Sequence, residues 1–167
     1  MLRTLSKALA RNLKGKRVLL RVDFNVPIDK RGVTDDTRIR ETLPTIRHLL
    51  KHKARVIIIT HLGRPEGRVV DGLKLTAVAR TLEKLLKKKV TKLNAAIGPQ
   101  VETALNDMKN GGVILLENIR FYKQEETGES GFIKQLARLG DIYVNDAFAA
   151  CHRKHASVYG IAKVLPS

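Results

Sequence analysis

Apolar segments of two periodicities alternate along the chain, and this alternation constrains the fold more than any other feature of the sequence. Short aliphatic runs predict five strands, at residues 18–22, 55–60, 90–93, 113–116 and 142–144. Between them, apolar residues recur every three or four positions, the pattern of a helix with one buried face. Near-continuous apolar strands separated by helices indicate a parallel sheet with both faces covered. We therefore predict an α/β fold, a three-layer, doubly wound, Rossmann-like domain with a mainly parallel sheet of five or six strands.

The predicted helices occupy residues 39–50, 75–86, 101–108 and 132–139, where the apolar stripes lie. Gly98-Pro99 is expected to begin the third helix, and Gly111-Gly112 to end it as a C-cap. Pro44 falls within the first stripe, so we expect that helix to start or kink there. Because no repeat or low-complexity linker interrupts the pattern, we predict one domain over residues 1–167.

The composition excludes several classes of protein. With 43% hydrophobic residues the chain can build a core, so an intrinsically disordered basic tail is not expected. The aliphatic runs at residues 56–59 and 113–116 are far shorter than the roughly 20 residues of a membrane-spanning helix. A single cysteine, Cys151, excludes an internal disulfide framework and is compatible with a reducing cytosol. We predict a cytoplasmic protein with no membrane partner.

Basic residues outnumber acidic ones by 32 to 16, which gives a net charge of +16. Basic surfaces attract phosphate groups, although most individual lysines are expected to be ordinary solvated side chains. Aromatic residues make up only 4% of the chain and tryptophan is absent, so base stacking and sequence readout have little support. Specific nucleic-acid binding is therefore not expected. Non-specific, salt-sensitive binding of nucleic acid stays open as an alternative.

The first 17 residues contain no acidic side chain, and leucines recur among them at helical spacing, at positions 2, 5, 9 and 13. A mitochondrial transit peptide has such a composition, but so has a surface helix that leads into the first strand. The segment runs into that strand with hardly any spacer for a cleavage site. We therefore favour the surface helix.

Polar clusters follow four of the predicted strands directly. They are Asp23-Phe24-Asn25, His61-Leu62-Gly63-Arg64, Glu117-Asn118-Ile119-Arg120 and Asn145-Asp146-Ala147-Phe148, the last running on to Cys151-His152-Arg153-Lys154-His155. The carboxyl ends of parallel strands share one edge of the sheet, where open α/β folds bind their ligands. Guanidinium groups bind phosphate or carboxylate oxygens bidentately, and helix N-termini add N–H donors. We therefore predict an anion site that contains Arg64, Arg120 and Arg153 beside His61 and His152.

Other interpretations of these residues stay open at this point. Asp35-Asp36 can be a helix N-cap, and the polar loop residues can satisfy backbone groups. Cys151, His152 and His155 suggest metal ligands, but no CxxC, HExxH or second ligand pair accompanies them, so we predict no metal. The glycines form neither GxGxxG nor GxxxxGK[ST], so we predict no nucleotide site in this chain.

Six motifs, in their order along the chain, resemble the N-terminal domain of phosphoglycerate kinase. They are Arg21-Val22-Asp23-Phe24-Asn25-Val26-Pro27, Thr34-Asp35-Asp36-Thr37-Arg38-Ile39, Thr60-His61-Leu62-Gly63-Arg64-Pro65, Leu115-Leu116-Glu117-Asn118-Ile119-Arg120-Phe121, Val144-Asn145-Asp146-Ala147-Phe148, and His152-Arg153 followed by His155-Ala156-Ser157. The similarity runs from about Lys14 to the end of the chain. The sequence departs from the family at Ala149-Ala150-Cys151, where a Gly-Thr-Ala-like stretch is usual.

The resemblance implies a site for 3-phosphoglycerate and 1,3-bisphosphoglycerate. It implies that Asp23 and Asn25 hold the hydroxyl end of the substrate, with the Phe24 backbone between them. It assigns the non-transferred phosphate to four side chains and to a turn that lets the backbone approach: His61, Arg64, Arg120 and Arg153, with Leu62-Gly63. Arg38 is implied to face the carboxyl group and the phosphoryl group in flight, and is the expected catalytic residue.

The family has two domains, and this chain stops about where the connection between them begins. We therefore expect residues 1–167 to be the substrate-binding domain, without the C-terminal domain that the resemblance implies for Mg-ADP or Mg-ATP. Such a chain is expected to bind phosphoglycerate, to hold no cofactor itself and not to transfer phosphate alone. We expect a monomer whose partner is the missing C-terminal domain. A regulatory or scaffold fragment is the remaining alternative.

Overall fold

The computed structural model describes residues 13–166, and most of the predicted N-terminal surface helix lies outside them. Strands in the described residues are β1 Arg17–Val22, β2 Ile28–Asp29, β3 Gly32–Val33, β4 Arg55–Ile59, β5 Thr91–Lys92, β6 Val113–Leu115 and β7 Ile142–Asp146. Five of them form one parallel sheet in the order β5-β6-β4-β1-β7. The other two, β2 and β3, pair antiparallel as a small hairpin.

Helices in the same part of the chain are α1 Thr37–Lys51, α2 Thr76–Leu86, α3 Pro99–Asn106, α4 Lys123–Thr127 and α5 Ser130–Ala137. Short helical turns lie at Asp71–Leu73, Ile119–Phe121, Phe148–Ala150, Ala156–Gly160 and Ile161–Lys163. The longer helices alternate with the parallel strands, as the sequence pattern predicts. The connections that cross between parallel strands therefore contain the helices that cover the sheet.

Successive side chains of the strands enter two separate cores, one on each face of the sheet, because strand side chains alternate in direction. The first core joins strand residues to α1 and α2: Val18, Leu20, Val22, Val56, Ile58, Ile39, Ile46, Val78 and Leu82. The second joins the intervening strand residues to α3 and α5: Leu19, Ile57, Ile114, Val101, Leu105, Phe132 and Leu136. Both faces are thus covered, which confirms the predicted three-layer α/β fold.

Pro44 lies inside α1, which begins at Thr37 and continues to Lys51. The prediction that the helix starts at Pro44 is therefore wrong. Proline lacks the N–H that would bond to the carbonyl of Arg40, so its cost is mainly one helical hydrogen bond. The buried residues on either side, Leu43 and Ile46, keep the helix packed on the sheet through this point.

The predicted glycine C-cap of the third helix is also wrong. α3 ends at Asn106, and Asp107 follows it in a right-handed helical conformation. Gly111, at φ 73°, turns the chain toward β6 and donates its N–H to the carbonyl of Ala54 over 3.1 Å. The glycine pair therefore belongs to the turn that leads into β6 and is not the C-cap of α3.

Candidate functional site

The loops that leave β1, β4, β6 and β7 meet at one edge of the sheet. We call this edge the rim. It comprises residues 23–25, 60–64, 117–120 and 147–155, together with Arg38, which is paired with Asp23. Thr60 joins the first two loops, because its Oγ1 accepts the N–H of Phe24 (2.9 Å) and donates to the carbonyl of Val22 (3.1 Å). Asn25 Oδ1 accepts the N–H of Gly63 over 2.8 Å. Two of the predicted clusters are thereby held side by side.

Arg38 lies in the first turn of α1 and reaches the loop after β1. Its Nη1 donates to Asp23 Oδ2 over 2.7 Å, while Asp23 Oδ1 accepts the N–H of Asn25 over 3.1 Å. The side chain of Arg38 is 48% exposed and that of Asp23 is 14% exposed. The guanidinium is therefore oriented by one carboxylate and still presents donors to solvent.

Asn118 is fully buried and connects three segments of the rim and its surroundings. Its Oδ1 accepts the N–H groups of Leu62 (3.2 Å) and Arg120 (3.1 Å). Its Nδ2 donates to the carbonyls of Leu62 (2.8 Å) and Leu73 (3.0 Å). All four hydrogen-bonding positions of the amide are used, so the loops after β4 and β6 are fixed to each other.

Gly63 occupies a position that no other residue can take without strain. Its φ is 64°, and a Cβ atom there would approach Leu73 Cδ2 to 2.8 Å. The carbonyl of Gly63 accepts a hydrogen bond from Arg120 Nη1 over 2.8 Å. The turn therefore holds the Arg120 side chain, which is only 5% exposed.

His61 is a neutral hydrogen-bond donor in this site. Arg21 Nη2 lies 3.1 Å from His61 Nδ1, and a guanidinium has no acceptor, so Nδ1 must accept. Burial, with the charges of Arg21, Arg120 and Arg153, lowers the pKa of His61 to about 2. The ring is therefore neutral near pH 7, and its proton resides on Nε2.

Cationic side chains crowd the buried side of the rim without full neutralisation. Burial and the nearby Arg153 lower the pKa of Arg120, and burial with Arg120 and Arg153 lowers that of His155. Glu126 Oε1 lies 3.6 Å from Arg120 Nε, too far for a hydrogen bond, and this buried Nε has no hydrogen-bond partner among the described residues. Such a cluster attracts an anion that can supply the missing acceptors.

The remaining predicted residues differ in their exposure to solvent. Arg64 is exposed and Arg153 is half-buried, so both side chains are accessible at the rim. Phe24 and Leu62 are buried, and their backbone N–H groups are taken by Thr60 and Asn118. These two residues therefore anchor the loops to the core in this structure.

Three buried residues of the rim's support were not proposed as site residues from the sequence. They are Arg21, Glu125 and Ser157. Arg21 carried a usable signal, since it is the one charged residue inside the apolar run of the first strand. Glu125 carried none, because an acid among polar helix residues is an ordinary surface pattern, and Ser157 carried none beyond its place in the sixth motif.

We found neither a metal-binding cluster nor a membrane-spanning helix among the described residues. Among residues 13–166, no three histidine, cysteine or carboxylate side chains gather into a group that could hold a metal ion. Cys151 is exposed, and its Sγ lies 3.4 Å from Asn145 Nδ2. No helix within these residues combines the length and the apolar character needed to cross a bilayer.

Residues 8–167 match the family model described as phosphoglycerate kinase. The chain is 57% identical over 155 residues to the phosphoglycerate kinase of Moorella thermoacetica, covering 93% of this chain and 39% of that protein. It is 54% identical over 164 residues to the phosphoglycerate kinase of a Synechococcus strain, covering 98% and 41%. The chain thus spans about two fifths of the length of these relatives.

Solved structures agree with the sequence comparisons. Phosphoglycerate kinase from Coxiella burnetii superposes with a TM-score of 0.82 at 42% identity, over 93% of this chain and 38% of that one. The enzyme from Pyrococcus horikoshii superposes with a TM-score of 0.85 at 34% identity, over 95% and 40%. Because nearly the whole of this chain matches the family model, the chain belongs to the phosphoglycerate kinase family and corresponds to its N-terminal domain.

Proposed function

We propose that the rim binds 3-phosphoglycerate and 1,3-bisphosphoglycerate through their non-transferred phosphate. The observation that carries this proposal is the buried cationic cluster around Arg120, whose Nε has no hydrogen-bond partner among the described residues. His61 adds a neutral Nε2–H donor, and Arg64 and Arg153 add guanidinium groups at the accessible side. Around one phosphate group, the three guanidinium groups would supply positive charge and bidentate hydrogen bonds, and His61 would add one neutral donor.

The hydroxyl end of the substrate is assigned to Asp23 and Asn25. Asn25 Oδ1 is used by the N–H of Gly63, so its Nδ2 is the group that we assign to the substrate. Asp23 accepts from Arg38 and from the N–H of Asn25, and a carboxylate has further lone pairs for a substrate hydroxyl. Direct backbone contacts from Phe24, Leu62 and Gly63 remain predictions.

Arg38 is the proposed catalytic residue. Its guanidinium is exposed and oriented by Asp23, which suits contact with the carboxyl group and the phosphoryl group in transfer. Phosphoryl transfer depends mainly on positioning and charge neutralisation. In a complete two-domain protein that carries this domain, Arg38→Ala should lower turnover by about 10²–10³-fold, the scale of losing one charge-stabilising donor. Near-normal turnover would contradict this assignment.

Transfer of the phosphoryl group to nucleotide is proposed for the longer protein and not for this chain alone. The relatives that it matches are about two and a half times as long. We propose that their remaining part supplies the site for Mg-ADP and Mg-ATP in glycolytic phosphoryl transfer. Residues 1–167 would then bind phosphoglycerate as a monomer in the cytoplasm and show no turnover.

The test is calorimetric titration of the chain with 3-phosphoglycerate, using inorganic phosphate and ADP as control ligands. Wild type is compared with Arg64→Ala and with Arg138→Ala. Arg138 is an exposed arginine after α5, at the opposite edge of the sheet, and serves as the matched charge control. We expect saturable binding of 3-phosphoglycerate that is tighter than phosphate, weakened about tenfold or more in Arg64→Ala and unchanged in Arg138→Ala.

Two results would contradict the proposal. Binding no tighter than that of inorganic phosphate would mean that this chain has no formed phosphoglycerate site. Equal weakening in Arg64→Ala and Arg138→Ala would mean that affinity follows net charge and not the rim.

Non-specific binding of nucleic acid is a second candidate, and one observation favours it. Exposed basic residues concentrate on the layer formed by α1 and α2: Arg40, Arg47, Lys51, Arg80, Lys84, Lys87 and Lys88. Arg47 Nη2 reaches the carbonyl of Leu85 over 3.1 Å, so the two helices present these charges side by side. Affinity for duplex DNA should then fall steeply with salt and not depend on sequence. Binding that persists unchanged from 50 to 200 mM salt would exclude this electrostatic mode.

A further inference from the structure

A chain of buried hydrogen bonds runs beneath the rim from α4 to His61. Glu125 Oε2 accepts the N–H of Ser157 over 2.8 Å, and Glu125 Oε1 accepts the Ser157 hydroxyl. Ser157 Oγ in turn accepts from Arg21 Nε over 2.9 Å, and Arg21 Nη2 donates to His61 Nδ1 over 3.1 Å. These four side chains are each no more than 5% exposed. The chain therefore joins α4, the 156–160 turn, β1 and the loop after β4.

The direction of each link follows from the chemistry of the groups. A guanidinium only donates, so Ser157 Oγ and His61 Nδ1 are both acceptors toward Arg21. The Ser157 hydroxyl proton is directed at Glu125, which leaves an Oγ lone pair for Arg21 Nε. Arg21 Nη1 also donates to the carbonyl of Val22. The planar guanidinium of Arg21 is thus held by three hydrogen bonds. Together they fix the orientation in which Nη2 faces His61.

Charge strengthens this arrangement. Arg21 is a buried cation, and Glu125 is the carboxylate whose charge most favours its protonated form. Burial raises the pKa of Glu125, while the charge of Arg21 and the two hydrogen bonds from Ser157 oppose that rise. Each of the two buried groups therefore favours the charged form of the other. The other groups that face His61 electrostatically are Arg120, Arg153 and His155. The two guanidinium groups only donate, and the one hydrogen bond from Arg21 to a ring nitrogen goes to His61 Nδ1.

We infer that Ser157 and Glu125 are positioning residues that act through Arg21 to hold His61 as the Nε2–H tautomer, with that donor available at the phosphate site. This inference rests on the proposed function for the role of the donor. The tautomer itself is a property of the free protein. The two parts can therefore be tested separately.

The experiment is ¹⁵N NMR of the histidine side chains in the free 167-residue chain, combined with calorimetric titration of 3-phosphoglycerate. Ser157→Ala removes the hydroxyl that links Glu125 to Arg21. We expect wild-type His61 to show a single Nε2–H tautomer from pH 5 to 8. In Ser157→Ala, we expect a substantial Nδ1–H population and a Kd for 3-phosphoglycerate raised about fivefold, the effect of one hydrogen bond.

Tyr143→Phe is the matched control for loss of stability. Tyr143 Oη donates to the carbonyl of Ser157 over 2.7 Å, so this variant removes a buried hydrogen bond to the same residue and leaves every hydrogen bond from Glu125 to His61 in place. It should lower the Tm comparably and leave the His61 tautomer and Kd unchanged. Ser157→Thr keeps the hydroxyl and should restore the wild-type spectrum. If Ser157→Ala does not fold, Glu125→Gln, which removes the charge and one acceptor, is measured in the same way.

A folded Ser157→Ala variant, or Glu125→Gln in its place, with unchanged His61 shifts would overturn the inference. A shifted tautomer with an unchanged Kd would overturn the role in substrate positioning. A shifted tautomer in a chain that shows no saturable 3-phosphoglycerate binding would leave the positioning of His61 established and would contradict the proposed function instead.

Discussion

The two sides of the rim are built differently. The inner side is defined by His61, Gly63, Asn118 and Arg120, and the outer side by Asp23, Arg38, Arg64 and Arg153. On the inner side, His61, Asn118 and Arg120 are each at most 5% exposed. His61 accepts from Arg21, whereas Asn118 and Arg120 donate to the carbonyls of Leu62 and Gly63. On the outer side, Arg38 is 48% exposed and held by one ion pair, and Arg64 is exposed.

The difference separates two tasks that one anion site must perform. Donors held in place before the ligand arrives lose little entropy on binding, so the inner side can provide most of the specificity for a phosphate. Arg38, which is exposed on a flexible side chain, can instead move with a ligand, which would suit its proposed role in phosphoryl transfer. Substitutions on the inner side should therefore cost much stability, and substitutions on the outer side should cost little.

Asn118→Ala should show the largest loss of stability. The substitution leaves four backbone groups, of Leu62, Arg120 and Leu73, without their buried partner. At about 1 kcal/mol for each, the free energy of unfolding should fall by about 4 kcal/mol. Urea unfolding measures this, with the exposed Asn106→Ala as the control that should change little. A loss below about 1 kcal/mol would show that the inner side is not held by this amide.

Gly63→Ala should come next, with a loss of about 2 kcal/mol. A left-handed backbone costs an alanine about 1–2 kcal/mol, and the end of the Leu73 side chain, which is only half-buried, can shift away from the new Cβ atom at a smaller cost. Gly72→Ala is the matched control, because nothing lies within 4 Å of a Cβ at that position and its φ is not in the left-handed region. Equal stability of the two variants would contradict the strained turn described above.

His61 should give the inner side a dependence on pH. Its pKa is lowered to about 2 by burial, whereas an unfolded histidine titrates near 6.5. Between these values the unfolded chain binds a proton that the folded chain does not, so stability falls as the pH drops below about 6.5. From pH 7 to 5 this amounts to about 2 kcal/mol, and His61→Gln should remove that part of the loss.

The measurement is urea unfolding of wild type and His61→Gln at both pH values, with the exposed His52→Gln as the control. The control should keep the wild-type dependence. If all three proteins lose the same stability between pH 7 and 5, His61 is not the group that titrates on unfolding.

Arg38→Ala should have the smallest effect on the free chain. The ion pair with Asp23 is partly exposed, and such pairs contribute at most about 1 kcal/mol. Thermal unfolding should therefore place the Tm of the variant within a few degrees of wild type. A loss as large as that of Gly63→Ala would mean that the outer side is a structural element and not an accessible ligand group.

The order of elements and the meeting of the polar loops at one edge of the sheet were predictable, because both depend on local patterns. Aliphatic runs such as 56–59 are recognisable without tertiary information, and parallel strands place their following loops at one edge. The β2–β3 hairpin was not predicted, since strands of two residues have no periodicity to detect. α1 was expected to start or kink at Pro44, and only packing against the sheet shows that the helix begins earlier and continues through it.

The buried residues that hold the candidate site in place were harder to predict than its candidate ligand groups. Arginines and histidines that directly follow strands predict an anion site by their type and position. Asn118 looks like a loop residue in the sequence, and its four hydrogen bonds depend on segments that meet only in the fold. Glu125 and Arg21 are paired through Ser157, which is 32 residues from one and 136 from the other. Sequence spacing contains no trace of such a connection.

The position of β1 between β4 and β7 has a consequence for how the domain is assembled. β1 finds β4 from residue 55 onward, but its contact with β7 closes a loop whose ends, Arg17 and Asp141, are 124 residues apart. Loops of that length slow folding, and β7 is synthesised after β1 and β4. Pulsed hydrogen exchange during refolding should find β1 and β4 amides protected before those of β7. During synthesis, the edge of the sheet that carries the rim stays incomplete until β7 and the segment with Arg153 have left the ribosome.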